Sequence, residues 1–182
     1  MKKIKMLGIF LIIFGLCLYS YNYYKEIKSI KTEKNKIENT IKNYTSYNTN
    51  DVYDMVLSIP KIALKKGIYK KDDKRNNIEE NVTIHKESDY PDSLGSNVIL
   101  MAHSGTSKIS YFDELDKLDY DSLIEIYYNK IKYVYKIGKI YDVNKDKVYI
   151  EDDNRKRVTL ITCSKKDKTK QVVYVGYIID EI

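Results

Sequence analysis

The sequence has few of the residues that build disulfide frameworks, since only two of its 182 residues are cysteines. Cys17 lies inside a long apolar run, and Cys163 lies near the end of the chain. A thiol inside a membrane segment cannot pair with one in an exported domain, so an intramolecular disulfide is excluded. Cys17 is expected to be a small lipid-facing hydrophobe. Cys163 is expected to be a free, functional thiol.

The sequence also lacks a concentrated basic stripe. The formal net charge is +6, but lysines alternate with acidic residues along most of the chain. Proteins that bind nucleic acids neutralise phosphates with clustered cations. Nucleic-acid binding is therefore not expected.

No charged residue interrupts the apolar run over residues 6–21, "MLGIFLIIFGLCLYSY". Bulky tyrosines follow it instead of a small-x-small cleavage site, so residues 1–24 are predicted to form an uncleaved signal anchor that spans the membrane. Lys2, Lys3 and Lys5 precede the run. By the positive-inside tendency they stay in the cytoplasm, which places the rest of the chain outside the cell membrane.

Residues 25–50 are predicted to form a charged helical stalk and a linker. Ile27, Ile30, Ile37 and Ile41 recur at helical spacing and form one apolar stripe. A solvated spacer is favoured over a dimerising coiled coil, because a single broken seam of under three heptads is marginal alone. Asparagines and threonines mark the linker over residues 43–50.

Residues 51–182 are predicted to form a single β domain, because short runs rich in Val, Ile and Tyr alternate with turn residues. A helix is predicted at "SYFDELDKL", residues 110–118, with an apolar face for packing. Hairpin turns are predicted at Asn129-Lys130, at residues 144–147 and at residues 152–155. Repeated short strands with one helix favour a closed barrel or a sandwich. The strand candidates are "VYDMVLSI", "KIAL", "NVTIH", "NVILMA", "SLIEIYY", "IKYVYKIGKIYDV", "KVYIE", "RVTLIT" and "QVVYVGYII".

A thiol and an imidazole each follow a predicted strand. His103 follows "NVILMA" and precedes a loop with glycine, and Cys163 ends the strand "RVTLIT". Two strand ends that present such groups can bring a nucleophile next to a general base. His85, beside Lys86 and Glu87, is expected to be a solvated or edge residue.

Four lysines follow Cys163 within seven residues, namely Lys165, Lys166, Lys168 and Lys170. Their cationic heads can favour the thiolate, and one can stabilise an oxyanion. A solvated loop is the alternative interpretation.

Several segments together resemble the sortases, membrane-anchored cysteine transpeptidases of Gram-positive bacteria. "LSIPKIAL" resembles the entry strand of that family, "NVILMAHSG" the strand and loop with its histidine, and "TLITC" its nucleophile motif. "YFDELDKLDYDSLIEIYY" resembles the segment after the histidine. The resemblance runs from about residue 52 to the C-terminus.

The resemblance implies a mainly β fold: a closed eight-stranded β-barrel with one or two short helices, preceded here by the transmembrane helix and stalk. It implies that Cys163 attacks the carbonyl after Thr in an LPxTG-like sorting motif and that His103 is the general acid and base. The partners implied are secreted surface proteins or pilins with that motif. The thioacyl intermediate passes to a peptidoglycan cross-bridge amine or a pilin lysine.

The family also has an arginine on the strand after the cysteine, and this chain departs from it. Its only arginines, Arg75, Arg155 and Arg157, all precede Cys163. Alignment by the paired valines of "KQVVYVG" puts Lys170 at that position, whereas alignment by the last Val-Gly puts Gln171 there. Lys170 is predicted to be the third catalytic residue, with main-chain N–H groups near Cys163 as another source of oxyanion contacts.

No metal and no cofactor are expected. Asp113, Glu114 and Asp116 lie close together, but they are typical of a solvated helix face rather than of a calcium site. Substrate side chains are predicted to meet the segments around residues 119–123 and 143–147. The alternatives are a tethered barrel that binds a peptide without turnover, favoured by the missing arginine, and a hydrolytic cysteine protease with the same Cys/His pair.

Overall fold

The computed structural model describes residues 2–42, 53–145 and 154–182. Within these ranges the chain divides into two compact units, residues 1–38 and 39–182. The predicted linker, residues 43–50, lies outside the described residues. The boundaries predicted at 24/25 and 50/51 stay predictions.

One helix, α1 (Lys2–Lys42), includes the predicted anchor and the helical part of the predicted stalk. Its residues 6–21 are apolar on all sides, which is what a helix surrounded by lipid requires. From Met6 onward it is long and apolar enough to cross a membrane, by length and composition. Charged residues replace the apolar ones after Tyr24.

Eight strands form one sheet in the spatial order β2-β1-β5-β6-β8-β7-β4-β3. Neighbours are antiparallel except for β4 and β7, which are parallel. The sheet confirms the predicted mainly β, eight-stranded barrel fold. The strands are β1 (Met55–Ile59), β2 (Leu64–Ile68), β3 (Thr83–Ile84), β4 (Asn97–Met101), β5 (Leu123–Tyr128), β6 (Ile131–Asn144), β7 (Arg157–Cys163) and β8 (Lys170–Glu181).

The hairpin between β5 and β6 is set by its turn residues. Asn129 and Lys130 both have positive φ, 48° and 67°, as a two-residue type I′ turn requires. This geometry matches the right-handed twist of the flanking strands, so the Tyr-rich runs on either side pair in register from Tyr128 opposite Ile131. The turn predicted at this position is confirmed.

The barrel is nearly closed, because its two edge strands are joined by a side chain rather than by a ladder. Nδ2 of Asn81, just before β3, donates a hydrogen bond of 2.8 Å to the carbonyl oxygen of Gly67 in β2. Asn81 is buried. A Cβ at Gly67 would lie 2.0 Å from Cδ2 of Tyr53, so the tyrosine ring packs where a larger residue would stand.

The sheet buries two apolar clusters on opposite faces, because side chains alternate along a strand. The barrel interior has the larger cluster, with Val98 and Leu100 from β4 and Leu160 from β7. Ile99 and Ile161, which alternate with them, belong to a second cluster on the other face. The second cluster continues toward the ends of β4 and β7.

Three local predictions differ from the structure or cannot be compared with it. The segment "KIAL" is not a strand: Pro60–Ile62 is a 3₁₀ turn, which proline favours at its start, and β2 begins at Leu64. The helix predicted over residues 110–118 is a shorter 3₁₀ turn, Asp113–Lys117. The strand "KVYIE", residues 147–151, lies outside the described residues, as do parts of the turns predicted at 144–147 and 152–155.

Candidate active site

The parallel pairing of β4 and β7 brings the ends of two distant segments together. The register runs from Asn97 opposite Arg157 to Met101 opposite Ile161. A buried side-chain hydrogen bond supports this pairing, since Oγ1 of Thr159 donates to Oδ1 of Asn97 at 2.7 Å. Parallel strands end at the same edge of a sheet. His103 and Cys163, each two residues beyond the last pair of the register, therefore meet at that edge.

Hydrogen bonds extend this pairing past the strands. The Ala102 N–H donates to the Ile161 carbonyl oxygen at 3.4 Å, and Oγ1 of Thr162 donates to the Ala102 carbonyl oxygen at 2.9 Å. Oγ of Ser104 donates to the Cys163 carbonyl oxygen at 2.7 Å. These contacts bracket His103 on both sides and hold its main chain beside Cys163.

Both residues lie at the strand ends next to the second apolar cluster. Met101 and Ile161 pack in or against that cluster, and side chains two residues apart in an extended chain share a face. Cys163 continues the row of Ile161, and His103 follows Met101 by two residues. The site is therefore an imidazole and a partly exposed free thiol next to the end of a buried apolar cluster.

The loop after His103 is anchored at its far end. The Phe112 N–H donates to the His103 carbonyl oxygen at 3.0 Å. The Phe112 ring is fully buried in the barrel interior, and burial of a phenylalanine stabilises a fold by about 1.5–3 kcal/mol. Inside the loop, Gly105 has a φ of +121°, and its N–H donates to Oδ1 of Asp113 at 2.9 Å.

The Gly105 N–H, and then the Lys165 ammonium, hold the pKa of Asp113 below its ordinary value of 3.8. A depressed carboxyl pKa adds stability above the unfolded pKa, and that stability is lost as pH falls through the folded pKa. In urea unfolding, Asp113→Asn is expected to lower the midpoint at pH 6, and the difference from the parent should shrink as pH falls below 3.8 and vanish only below the lowered pKa of the folded state. A difference that is independent of pH would contradict this linkage.

Asp116→Asn is the matched control for that measurement. Asp116 binds the same Lys165 ammonium, at 3.2 Å, but it accepts no hydrogen bond from the loop at Gly105. Its substitution should lower the midpoint less than Asp113→Asn does, because only a surface ion pair is lost.

His103 has a carboxylate partner that the sequence did not reveal. Its Nε2 lies 3.2 Å from Oε1 of Glu79, which comes from the segment between β2 and β3. The same segment contacts the loop after His103 a second time, through the Tyr111 hydroxyl and the Glu80 carbonyl oxygen at 3.3 Å. A carboxylate that accepts the Nε2 proton leaves Nδ1 as the free basic nitrogen. No signal in the sequence identified Glu79, since 24 residues separate it from His103.

A tight turn follows Cys163. Oγ of Ser164 accepts the N–H groups of Lys166 and Asp167, both at 3.3 Å, and the Ser164 N–H donates to the Lys170 carbonyl oxygen at 3.0 Å. These three N–H groups are therefore engaged within the turn. The main-chain oxyanion contacts predicted near Cys163 do not come from them in this structure.

The lysines after Cys163 lie near carboxylates. Nζ of Lys165 lies 3.1 Å from Asp113 and 3.2 Å from Asp116, and Nζ of Lys170 lies 3.8 Å from Asp167. These pairs are half exposed and offset much of the positive field that the sequence suggested. The acidic residues of the 3₁₀ turn thus bind a lysine and a main-chain N–H.

Lys170 and Gln171 lie on opposite faces of β8. Gln171 is paired with Cys163 in the register, so the two side chains share a face. Lys170 alternates with it and shares the face of Val172 and Tyr174, which pack in the barrel interior. The structure therefore places Cys163 and Gln171 on one face of the sheet, at the strand end next to His103, and Lys170 on the other face.

A cavity of about 260 Å³ opens beside Cys163 between β6, β7, β8 and the 3₁₀ turn. Its walls combine apolar side chains with carboxylates and lysines, and neither His103 nor Lys170 lines it. Asp113, Asp116, Asp142, Lys165 and Lys166 supply its charged groups. Of the loops predicted to read substrate, residues 143–145 are described and residues 146–147 are not.

The other histidine and Tyr111 have structural contacts. Nδ1 of His85 accepts the Glu87 N–H at 3.2 Å, in a turn after β3. The Tyr111 ring packs under the Lys66 ammonium at 4.1 Å.

The sequence matches one family. The model of a family described as Sortase domain matches residues 57–178, which include His103 and Cys163. No curated protein matches the sequence.

Solved structures with the same fold share about a fifth of the sequence. A Clostridium perfringens sortase D5 transpeptidase superposes with a TM-score of 0.66 at 17% identity, over 82% of this chain and 99% of that one. Sortase C1 from Streptococcus agalactiae superposes with a TM-score of 0.62 at 22% sequence identity, over 77% of this chain and 75% of that one. Clostridium perfringens sortase C, solved with the C-terminal cell wall sorting motif, superposes with a TM-score of 0.61 at 21% sequence identity, over 83% of this chain and 87% of that one.

Proposed function

Because this chain belongs to the sortase family, we propose that it is a membrane-anchored cysteine transpeptidase in which Cys163 is the nucleophile and His103 the general acid and base. The family is the one that the sequence motifs predicted. The observation that carries the proposal is the placement of His103 and Cys163, each two residues past the last pair of the parallel register, at the adjacent ends of β4 and β7. A thiol with a neighbouring base is the arrangement that covalent acyl transfer requires.

In the first half of the reaction, the Cys163 thiolate attacks the carbonyl carbon of Thr in an LPxTG-like motif. A C–S bond forms, and the C–N bond to the next residue breaks. The imidazolium of His103 gives its proton to the leaving amine, which would otherwise depart as an unstable anion. The product is a thioacyl-enzyme that conserves the acyl group in an activated form.

In the second half, an acceptor amine attacks the thioacyl carbon. A new C–N bond forms, the C–S bond breaks, and the amine proton passes to the neutral His103. This step restores the Cys163 thiolate and the imidazolium. The acceptor is an amine of the peptidoglycan cross-bridge or a pilin lysine. Hydrolysis is the same step with water as the acceptor.

The surface next to Cys163 suits the apolar part of such a motif. Met101, Tyr141 and Val143 lie on the same face as Cys163, where they are partly exposed and pack against the second apolar cluster. Leu and Pro side chains bind because burial of their apolar surface lowers the free energy by roughly 25 cal/mol per Å². A peptide along this face would present the carbonyl after Thr at the strand ends.

The N-terminal helix supports a location at the membrane. Lys2, Lys3 and Lys5 precede its apolar part, so the proposed orientation leaves the N-terminus in the cytoplasm and the β domain outside. Secreted surface proteins or pilins would reach the site there. A cysteine-labelling assay with a membrane-impermeant reagent on whole cells, with Cys163 reactive and Cys17 not, tests this orientation.

The test of the function uses the full chain in a mild detergent. Fluorogenic peptides that vary each position of LPxTG are incubated with and without triglycine or a lysine peptide, and products are identified by mass. Cleavage after Thr with an amine-linked product supports the transpeptidase. Cleavage to the free acid alone, with amine present, supports a cysteine protease. Peptide binding without cleavage supports the non-catalytic barrel.

We expect Glu79 to position His103 in this reaction. Glu79→Ala should lower kcat about tenfold, a fraction of the 10²- to 10⁴-fold that general acid–base catalysis supplies, and should leave KM unchanged. The reason is that the imidazole then loses the acceptor that fixes its tautomer. Steady-state kinetics with a cleaved peptide measures the split between kcat and KM.

Glu79→Gln and Glu80→Ala are the matched variants. The amide oxygen of the glutamine still accepts the Nε2 proton, so Glu79→Gln should retain most of kcat. Glu80 is the exposed neighbour whose side chain does not meet His103, and its substitution should be neutral. A loss confined to KM in Glu79→Ala would place Glu79 in substrate binding instead.

A further inference from the structure

We propose that the side-chain amide of Gln171 hydrogen-bonds the acyl-donor peptide at the carbonyl that Cys163 attacks, and that it does so without a charge. This inference rests on the proposed function and adds a third residue to its site. It replaces Lys170 with Gln171 in the role predicted from the sequence.

The ladder between β7 and β8 places Gln171 close to the thiol. The Ser164 N–H donates to the Lys170 carbonyl oxygen, so Ser164 and Lys170 form a hydrogen-bonded pair. Pair types alternate along an antiparallel ladder. Cys163 and Gln171, the next pair, are therefore a non-hydrogen-bonded pair, in which side chains approach most closely, with Cβ atoms about 4.5–5.5 Å apart.

The Gln171 amide also has unused hydrogen-bonding capacity. Its Oε1 is buried and has no hydrogen-bond partner among the residues that the structure describes. A buried acceptor without a donor is unfavourable, so a ligand that supplies a donor is stabilised at this position. A peptide group supplies an N–H and a carbonyl oxygen together, which match Oε1 and Nε2 of one amide.

Several main-chain donors near Cys163 are already engaged. The N–H groups of Ser164, Lys166 and Asp167 bind within the turn. Nζ of Lys170 lies near Asp167 and on the other face of β8. Negative charge that develops on the attacked carbonyl oxygen needs a fixed donor, and Nε2 of Gln171 can supply one beside the thiol.

The test uses the full chain in a Cys17→Ala background, so that Cys163 is the only thiol. The probe is the chloromethyl ketone of acetyl-Leu-Pro-Ala-Thr. Its reaction forms a bond from Sγ of Cys163 to the methylene carbon and releases chloride, next to a carbonyl in the position of the scissile one. Chloroacetamide measures thiol reactivity without peptide recognition. Mass spectrometry gives both rate constants.

The parent should react much faster with the peptide probe than with chloroacetamide. Gln171→Met, which keeps the length and removes the amide, should lower the peptide rate about 10²-fold and leave the chloroacetamide rate within about twofold. Lys170→Met, on the neighbouring residue of the opposite face, should change neither rate more than about threefold.

Each other outcome overturns the proposal. If Gln171→Met still reacts much faster with the peptide probe than with chloroacetamide, Gln171 does not bind the peptide, and the proposed function is unaffected. If the rate with the peptide probe falls in Lys170→Met and not in Gln171→Met, Lys170 makes the contact with the peptide instead of Gln171. Equal reaction of the parent with both probes removes peptide recognition at Cys163, and the proposed function fails with it. A far-ultraviolet circular dichroism spectrum checks that both variants fold.

Discussion

Replacement of Cys163 by alanine is expected to abolish both cleavage and amine transfer, a loss of about 10⁴-fold or more in kcat. The reason is that no other group at the ends of β4 and β7 can form the thioacyl bond. The residue is only partly buried and ends its strand, so the fold should be affected by less than about 0.5 kcal/mol. Incubation with a peptide ester and intact mass measurement should show an acyl adduct on the parent and none on Cys163→Ala.

The chain supplies its own control for this experiment. Cys17→Ala removes the other thiol, which lies in the apolar part of α1, and should retain full activity and the acyl adduct. Cys163→Ser tests the chemistry more sharply, because a hydroxyl has the same shape but is far less acidic than a thiol. Turnover by Cys163→Ala at more than about a hundredth of the parental rate would remove Cys163 as the nucleophile.

Replacement of His103 by alanine should lower kcat for both cleavage and transfer by about 10³-fold, within the range that general acid–base catalysis supplies. Both halves of the reaction need a proton moved at the same place. The side chain is about a third exposed, so small molecules can reach the space that it leaves. Added imidazole should therefore restore part of kcat in a saturable manner.

His85→Ala is the matched variant, because His85 lies in a turn after β3 and contacts the Glu87 N–H rather than the site. Its activity should stay within about twofold of the parent and should not respond to imidazole. If His103→Ala keeps its kcat, or if imidazole restores activity equally in Cys163→Ala, proton transfer by His103 is disproved.

The two residues proposed as nucleophile and base could be singled out in the sequence because each follows a strand. "NVILMA" and "RVTLIT" are short apolar runs, and a histidine or a cysteine at the end of each stands out in a chain with two of each type. The hairpin at Asn129 and Lys130 was equally local, because it depends only on which residues tolerate positive φ. Such features need no information about distant contacts.

The choice between Lys170 and Gln171 was not local. It depends on the register of β8 against β7, and a slip of one residue exchanges the two faces. Sequence patterns leave the register open when polar residues occupy both alternating positions near a strand end. The hydrogen bond from Ser164 to the Lys170 carbonyl decides it, and Gln171 then faces Cys163.

By itself, the order of residues determined a long apolar N-terminal helix, a mainly β domain, a free thiol near the end of the chain and the family of that domain. Periodicity, turn chemistry and short motifs are properties of neighbouring residues, so they can be read without a fold. Only the tertiary structure decided that β4 and β7 are parallel neighbours, that Glu79 reaches His103, and that Gln171 rather than Lys170 shares the face of Cys163. These depend on strand order and register, which arise when distant segments bury their apolar faces against one another.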